Sequence, residues 1–582
     1  MRCRLALRFL VLSSMSVSPG FVPTVLRKAV VRALLALAVL VTPVAKAQLS
    51  LPPDYAWRQL SPSGEPTSSV TFQWRIDPRG EWVVFIGDVE SAGAEAVYSL
   101  RRNGAELHRL SPYAPTGTIL RLELSPDGRR VVYSGALETN GRVEVWSAPL
   151  AGTPAAAVKL NLPVIGEGVT SFSVGDSGDR IAYAAETASG WGFWTVPVAG
   201  PAAAGVNVAP PLAAGEIPYF GFVLGDPSRA LLFVYDTVAP ALNLWSAPAA
   251  GPAAAGLYLL SSNPEGCTAF PAAVSSVTRR IAYTFTCDSP VGDRTNQLWS
   301  MPFEGPEGAE VSLAGSFVQG GAIGSTSSSA DGSRIVFTAD KLIDEKQELW
   351  SVPFTGPAGE LVRLNPSLIA SGDVTAFDIS PDGARVAYIA DATTNETFRP
   401  WSVPIAGPST LAEPLVTGAT AANADVTNLD FAPDSATIVF RGDLSQDQRF
   451  DLYAAPADGS GGREQITNDS GIPGPDRSTG LLWRLHPDGR RVVFTVDQDA
   501  PSDQRRLYEQ RLQPRYVQDA RLNGEPVAGG RISSFEVFPD SAGTLYYSDE
   551  LVDGRFHLFT VDSRIFGDGF EEGTTVAWAD AP

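Results

Sequence analysis

Histidine and cysteine are nearly absent: the 582 residues hold three of each, and only three methionines. A zinc or other His/Cys-rich metal centre is thereby excluded as an organising element, because each structural site needs about four such ligands. Basic side chains are scarce as well. With 44 Lys+Arg against 64 Asp+Glu the net charge is −20, and nucleic acid is excluded as a partner because neutralising phosphates needs basic surface. Gly-x-Ser-x-Gly, P-loop, His-Glu-x-x-His and EF-hand patterns are missing too. What remains is 44% hydrophobic and 19% charged, with 55 Gly and 46 Pro. Such a chain has material for a core and many turns, and is not intrinsically disordered.

Residues 1–47 carry seven basic side chains and no acidic one. The basic stretch ends at Arg32, an apolar run follows over 33–41, and Ala45-Lys46-Ala47 precedes Gln48. Positive charge, a short apolar segment and small residues in that order predict a signal peptide cleaved between Ala47 and Gln48. The run is too short to stay in a bilayer as a spanning helix. Cleavage removes seven positive charges, so the mature chain stands at −27. A periplasmic or secreted bacterial protein is expected, with no membrane span after the signal is removed.

Length alone suggests about four domains, but one pattern recurs from residue 48 to 562. A short strand leads into a Pro-Asp-Gly type turn, then come an apolar strand, a polar loop, a strand around an aromatic residue, and a Gly/Pro turn. The second strand of each unit is marked by Val83, Val131, Ile181, Leu231, Ile281, Ile335, Val386, Ile438, Val492 and Leu545, at spacings of 48 to 54 residues. Short β-branched and aromatic runs bounded by Pro, Gly, Asp and Asn predict antiparallel strands. Four strands per unit of about 50 residues predict an all-β fold, a β-propeller of about ten four-stranded blades. A lone blade cannot bury both faces, so neighbours must stack on it. The third-strand aromatics Trp146, Trp194, Trp245, Trp299, Trp350 and Trp401 are expected to fill those interfaces, with carbohydrate stacking as the alternative. The last unit lacks a fourth strand, whereas residues 55–62, YAWRQLSP, match the fourth strands ELHRLSP and ELVRLNP. The N-terminal strand is therefore expected to complete the last blade and close a single ring rather than two smaller ones.

The runs SPDGRRVVYSG, SPDGARVAYIAD and HPDGRRVVFTVD, starting at Ser125, Ser380 and His486, resemble the TolB-like, WD40-like (PD40-type) propeller repeat. The resemblance covers nearly the whole mature chain and weakens in units four and five. It implies an exported propeller acting as a protein-binding platform, or the propeller half of a prolyl-oligopeptidase-like enzyme, although no α/β-hydrolase domain follows here. The tail 563–582 contains IFGDGFEEG and resembles a short IF-x-DGFE ending of secreted proteobacterial proteins.

Gly175-Asp176-Ser177-Gly178-Asp179 matches a serine-protease signature, yet it falls where other units carry their hairpin turn. Cys267 and Cys287 fall opposite each other on the first two strands of unit five, and an oxidising compartment favours a disulfide between them. The second strands end in Asp88, Asp236, Asp288, Asp340, Asp391, Asp443, Asp497 and Asp549. These predict an acidic face that steers a cationic partner or, with oxygen-rich loops, holds calcium; the competing role is capping turns inside each blade. No other cofactor or metal site and no catalytic residue is expected. The expected function is a monomeric, non-enzymatic scaffold for an envelope or extracellular protein or ligand. A propeller hydrolase or lyase acting on a glycan or peptide in the central channel is the alternative.

Overall fold

The computed structural model describes residues 58–61 and 69–562, apart from 92, 115–118, 225–227, 239, 253–255, 262–266, 289–293, 468–477, 499–503, 513–519, 524–526, 528–529 and 553. Residues 1–57, with Ala47, Gln48 and Trp57, and the tail 563–582 lie outside the described residues.

The second unit shows how the sequence builds a blade. Its first strand, Ile119–Leu124, reaches the turn Ser125-Pro126-Asp127-Gly128. The Asp127 carboxylate accepts from Ser125 Oγ at 2.6 Å and from Arg129 N at 3.0 Å. Gly128 has φ +64, and a Cβ there would lie 2.9 Å from Asp77 of the preceding unit, so two constraints demand glycine. The second strand, Arg130–Gly135, pairs with the third, Glu144–Pro149, and that with the short fourth, Val158–Lys159.

Apolar residues fill both faces of the second strand, and each face serves a different neighbour. Val131 and Tyr133 pack back onto Val84 and Val97 of unit one. Val132 packs forward with Ile181 and Tyr183 of unit three. This arrangement recurs around the chain, giving ten apolar layers, each between consecutive units. The layer containing Phe538 and Tyr547 with Val70 and Phe85 joins the last unit to the first. Ten blades therefore form one closed ring; two rings would need a layer between non-consecutive units. The strands lie in eight four-stranded sheets and one eight-stranded sheet that holds two further blades.

The last blade comprises Ile532–Val537, Gly543–Ser548, His557–Asp562 and, from the other end of the chain, Arg58–Gln59. Arg58 pairs with Thr560 and Gln59 with Phe559. Leu60 N then donates to Leu558 O at 2.7 Å, and Gln59 Nε2 meets His557 Nδ1 at 3.2 Å.

One expectation needs correction. Leu231 and Leu545 are not the equivalents of Val131: Ala230 and Thr544 are, because the strands begin at Arg229 and Gly543, opposite Pro248 and Asp562. The third-strand aromatics do lie in the blade interfaces: Trp350, Tyr98, Tyr453, Tyr508 and Phe559 are buried, and Trp146, Trp194, Trp245, Trp299 and Trp401 are half-buried against the inter-blade clusters. The fully buried large rings sit mostly one strand further in, among them Phe85, Tyr133, Tyr183 and Tyr388. Neighbouring blades diverge away from the axis, so the second strand receives the tighter layer.

Blades four and five share a sheet. A parallel bridge between Leu242 and Thr268 joins the third strand Ala241–Pro248 to the next first strand, Cys267–Ser275. Cys267 and Cys287 face each other across that blade and form the expected disulfide, with Cα atoms 4.1 Å apart. It closes a loop of 20 residues, for which chain entropy gives about 3 kcal/mol. A Cys267→Ser/Cys287→Ser variant should lose a comparable amount in urea unfolding followed by tryptophan fluorescence; an unchanged midpoint would contradict the staple.

Candidate functional site

Strands alternate in direction within a blade, so the loops from second to third strand and those entering each first strand emerge on one face. The eight predicted aspartates lie at the second-strand ends on this face, in every blade except two and three. Five of them clamp their own blade. Asp391 Oδ1 accepts from Asp373 N at 2.6 Å, where the chain enters the first strand, and Oδ2 from Glu396 N at 3.2 Å in the following loop. Asp88 does the same with Ser69 N and Gly93 N at 2.6 and 2.8 Å. Asp549 takes Arg531 N and Gly554 N at 2.7 and 2.9 Å. Asp340 and Asp443 repeat the clamp on Ala322 and Glu345, and on Asp425 and Gln448. Asp236 Oδ1 accepts from Val238 N at 2.8 Å, and the side chains of Asp288 and Asp497 lie outside the described residues. The carboxylates do not converge on a point. Among the described residues no three metal-ligating side chains come together, so the calcium alternative gains no site.

A second repeated device went unread in the sequence. The arginine opening the second strand reaches the serine after the third-strand tryptophan. Arg130, Arg229, Arg280, Arg334 and Arg385 donate through Nε to Ser147, Ser246, Ser300, Ser351 and Ser402 at 2.7–3.0 Å. The Trp-Ser dipeptide was the available signal. Blade nine departs from it: His486, fully buried, takes the turn position, and its Nε2 lies 2.9 Å from Glu509 Oε2, which replaces the serine. Ser177 occupies a hairpin turn in blade three, where Gly178 N donates to Gly175 O at 2.8 Å. The histidines stand in blades one, nine and ten, so no triad forms with Ser177.

The first strands are innermost. They approach one another around the ring, whereas the fourth strands do not. Bonds cross between them: Ser173 Oγ donates to Gly221 O at 3.0 Å, Val174 N to Glu123 Oε2 at 2.9 Å, and Phe431 N to Asp378 Oδ2 at 2.8 Å. The inner position varies from blade to blade. Ser173, Ala273 and Ser327 occupy it in blades three, five and six, but Asp378, Asp430, Arg484 and Glu536 occupy it in blades seven to ten. Arg484 pairs with Glu536 at 3.5 Å. Burial, and then the neighbouring Asp378 charge, push Asp430 up to about 6. Burial also raises Asp378, although two backbone N–H groups pull the other way. Asp430 is exposed to solvent yet has protein around most of it, as befits a group on the wall of a water-filled bore. Periodicity could not reveal this set, because it consists of breaks in the repeat.

No family model matches the chain, and no curated protein matches it in sequence. Solved structures similar to it are β-propeller-containing proteins at low identity. Prolyl oligopeptidase B from Galerina marginata is 10% identical, with a TM-score of 0.35 over 65% of this chain and 56% of that one. This chain thus spans little more than half of that enzyme. An oligogalacturonate lyase in complex with manganese is 13% identical, with a TM-score of 0.35 over 85% and 96%. The β-propeller domain of the Trilobed protease from Pyrococcus furiosus is 11% identical, with a TM-score of 0.28 over 69% and 99%. These likenesses bear on fold alone.

Asp391→Asn keeps one acceptor and turns an N–H donor on the other amide, which should cost about 1–3 kcal/mol. Faster hydrogen exchange at the Asp373 and Glu396 amides would register it, and unchanged exchange would refute the clamp. Asp430 binds its proton more tightly folded than unfolded, so stability falls as pH rises from about 4 to about 6. Asp430→Asn should therefore be the more stable form at pH 7.5, by about 1 kcal/mol once channel water is allowed for. Below pH 4 the advantage should vanish; a pH series of denaturant midpoints tests it.

Proposed function

We propose that the chain is an exported TolB-like propeller working in the bacterial periplasm or outside the cell as a monomeric, non-enzymatic scaffold for another envelope or extracellular protein. The observation carrying this reading is the uneven placement of exposed apolar side chains. Val238, Leu342, Ile343, Leu551 and Val552 stand on second-to-third-strand loops, and Ile165 and Val527 on loops entering first strands. All belong to one face. The other face has Val277 and Leu411. Apolar surface gathered on one side of a soluble protein favours a partner contact, and the aspartate clamps hold these loops in shape for it. The basic N-terminal segment supports export, and the acidic mature chain favours a cationic partner.

A hydrolase or lyase acting on a glycan or peptide in the channel is the second reading. The non-repeating Asp378, Asp430, Arg484 and Glu536 favour it, since a carboxyl group titrating near 6 can serve as a general acid.

The scaffold reading is tested by tagged capture from envelope extract. A Leu342→Lys/Ile343→Lys/Leu551→Lys/Val552→Lys variant should lose the captured protein, while Val277→Lys/Leu411→Lys should keep it. Equal capture by both would overturn the assignment.

A further inference from the structure

An exposed residue on a first strand can meet solvent only in the channel, because the second strand covers its outer edge and neighbouring blades cover both faces. Phe72, Leu120, Tyr219 and Phe270 are such residues, with 66, 50, 58 and 47% of their surface exposed. They belong to blades one, two, four and five, and precede the Asp430-equivalent position in each first strand, towards the loop face. Across the ring the corresponding exposed residues are small or polar: Gly324, Thr375 and Thr427 in blades six to eight. In a ring of ten, blades five apart are opposite. The apolar residues thus flank blade three, which carries the exposed Thr170 at this position, directly across from blade eight and Asp430, with Asp378 beside it. Of the cations nearby, Arg121 pairs with Glu123, Arg484 pairs with Glu536 and also acts on Asp430, Arg441 donates to Thr427 Oγ1 at 3.0 Å, and Arg75 stands on blade one, outside the acidic wall.

We propose that the mouth of this channel binds an extended polypeptide segment that carries aromatic or aliphatic side chains together with lysine or arginine. This deepens the scaffold reading and rests on it. The apolar arc supplies surface for the hydrophobic side chains, worth about 25 cal/mol for each Å² buried. The Asp378–Asp430 pair on the facing wall supplies the charge: two carboxylates brought close together are stabilised by a cation between them. A neutral glycan would stack on the aromatics but leave the carboxylates unanswered, and an acidic glycan would be repelled by them.

Fluorescence anisotropy of the full mature chain with a labelled twelve-residue Trp/Lys/Ser peptide tests the assignment, with Lys→Glu and Trp→Ser versions as controls and a neutral oligosaccharide as competitor. Both controls should bind at least tenfold more weakly, and the oligosaccharide should not compete. Asp378→Asn/Asp430→Asn should weaken the lysine peptide at least tenfold and flatten its salt dependence. Phe72→Ser/Tyr219→Ser should weaken it comparably. Thr375→Glu, at an exposed site on the acidic wall, should tighten it, which guards against variants that merely unfold. Equal affinity for the lysine and glutamate peptides, no effect of Thr375→Glu, displacement by the oligosaccharide, or no binding at all would overturn the proposal. If the loop-face lysine variants still lose their envelope partner in that event, the scaffold reading stands and the channel assignment alone falls.

Discussion

Everything in this molecule depends on a second strand that is apolar on both faces. Such a strand cannot face water on either side, so a four-stranded unit is unstable until it has a neighbour before it and another behind it. An open row of blades would leave two faces unsatisfied. The layer of Phe538, Tyr547, Val70 and Phe85 removes both at once. The polar devices act on geometry rather than supply the bulk of the stability. Aspartates fix the loops on one face, and arginine–serine bonds fix the strand edge near the other.

Local chemistry was legible in the sequence to the extent that it repeated. The Pro-Asp-Gly turns could be read because a left-handed glycine and an Asx-type carboxylate leave the same mark wherever they occur, and the blade count followed from them. The disulfide followed from register alone. Leu231 was misplaced because the sequence before its strand, Asp226-Pro227-Ser228, lacks the glycine that anchors the alignment elsewhere. Asp430 could not be singled out at all. What distinguishes it is its burial on the inner wall and, after that, Asp378, 52 residues away along the chain and one blade away in space.

The two faces of the propeller divide the labour. The hairpin face repeats its Pro-Asp-Gly turn in blades two, seven and nine and keeps variants of it elsewhere. The opposite face repeats its clamp in blades one, six, seven, eight and ten and varies what is displayed beside it: apolar tips on some loops, aromatic rings at part of the channel wall, carboxylates on the facing part. A rigid frame with variable fittings lets recognition change without touching the packing, which is how one fold comes to host unrelated activities.

The closing strand also sets an order of events. Arg58 and Gln59 are synthesised long before their partners at Phe559 and Thr560, which come about 500 residues later. Until those arrive, the first and last blades each present bare strand edges and an uncovered apolar face. The ring can therefore be completed only after the whole polypeptide has been delivered. Nothing at the leading end of the chain can lock before the trailing end has been made.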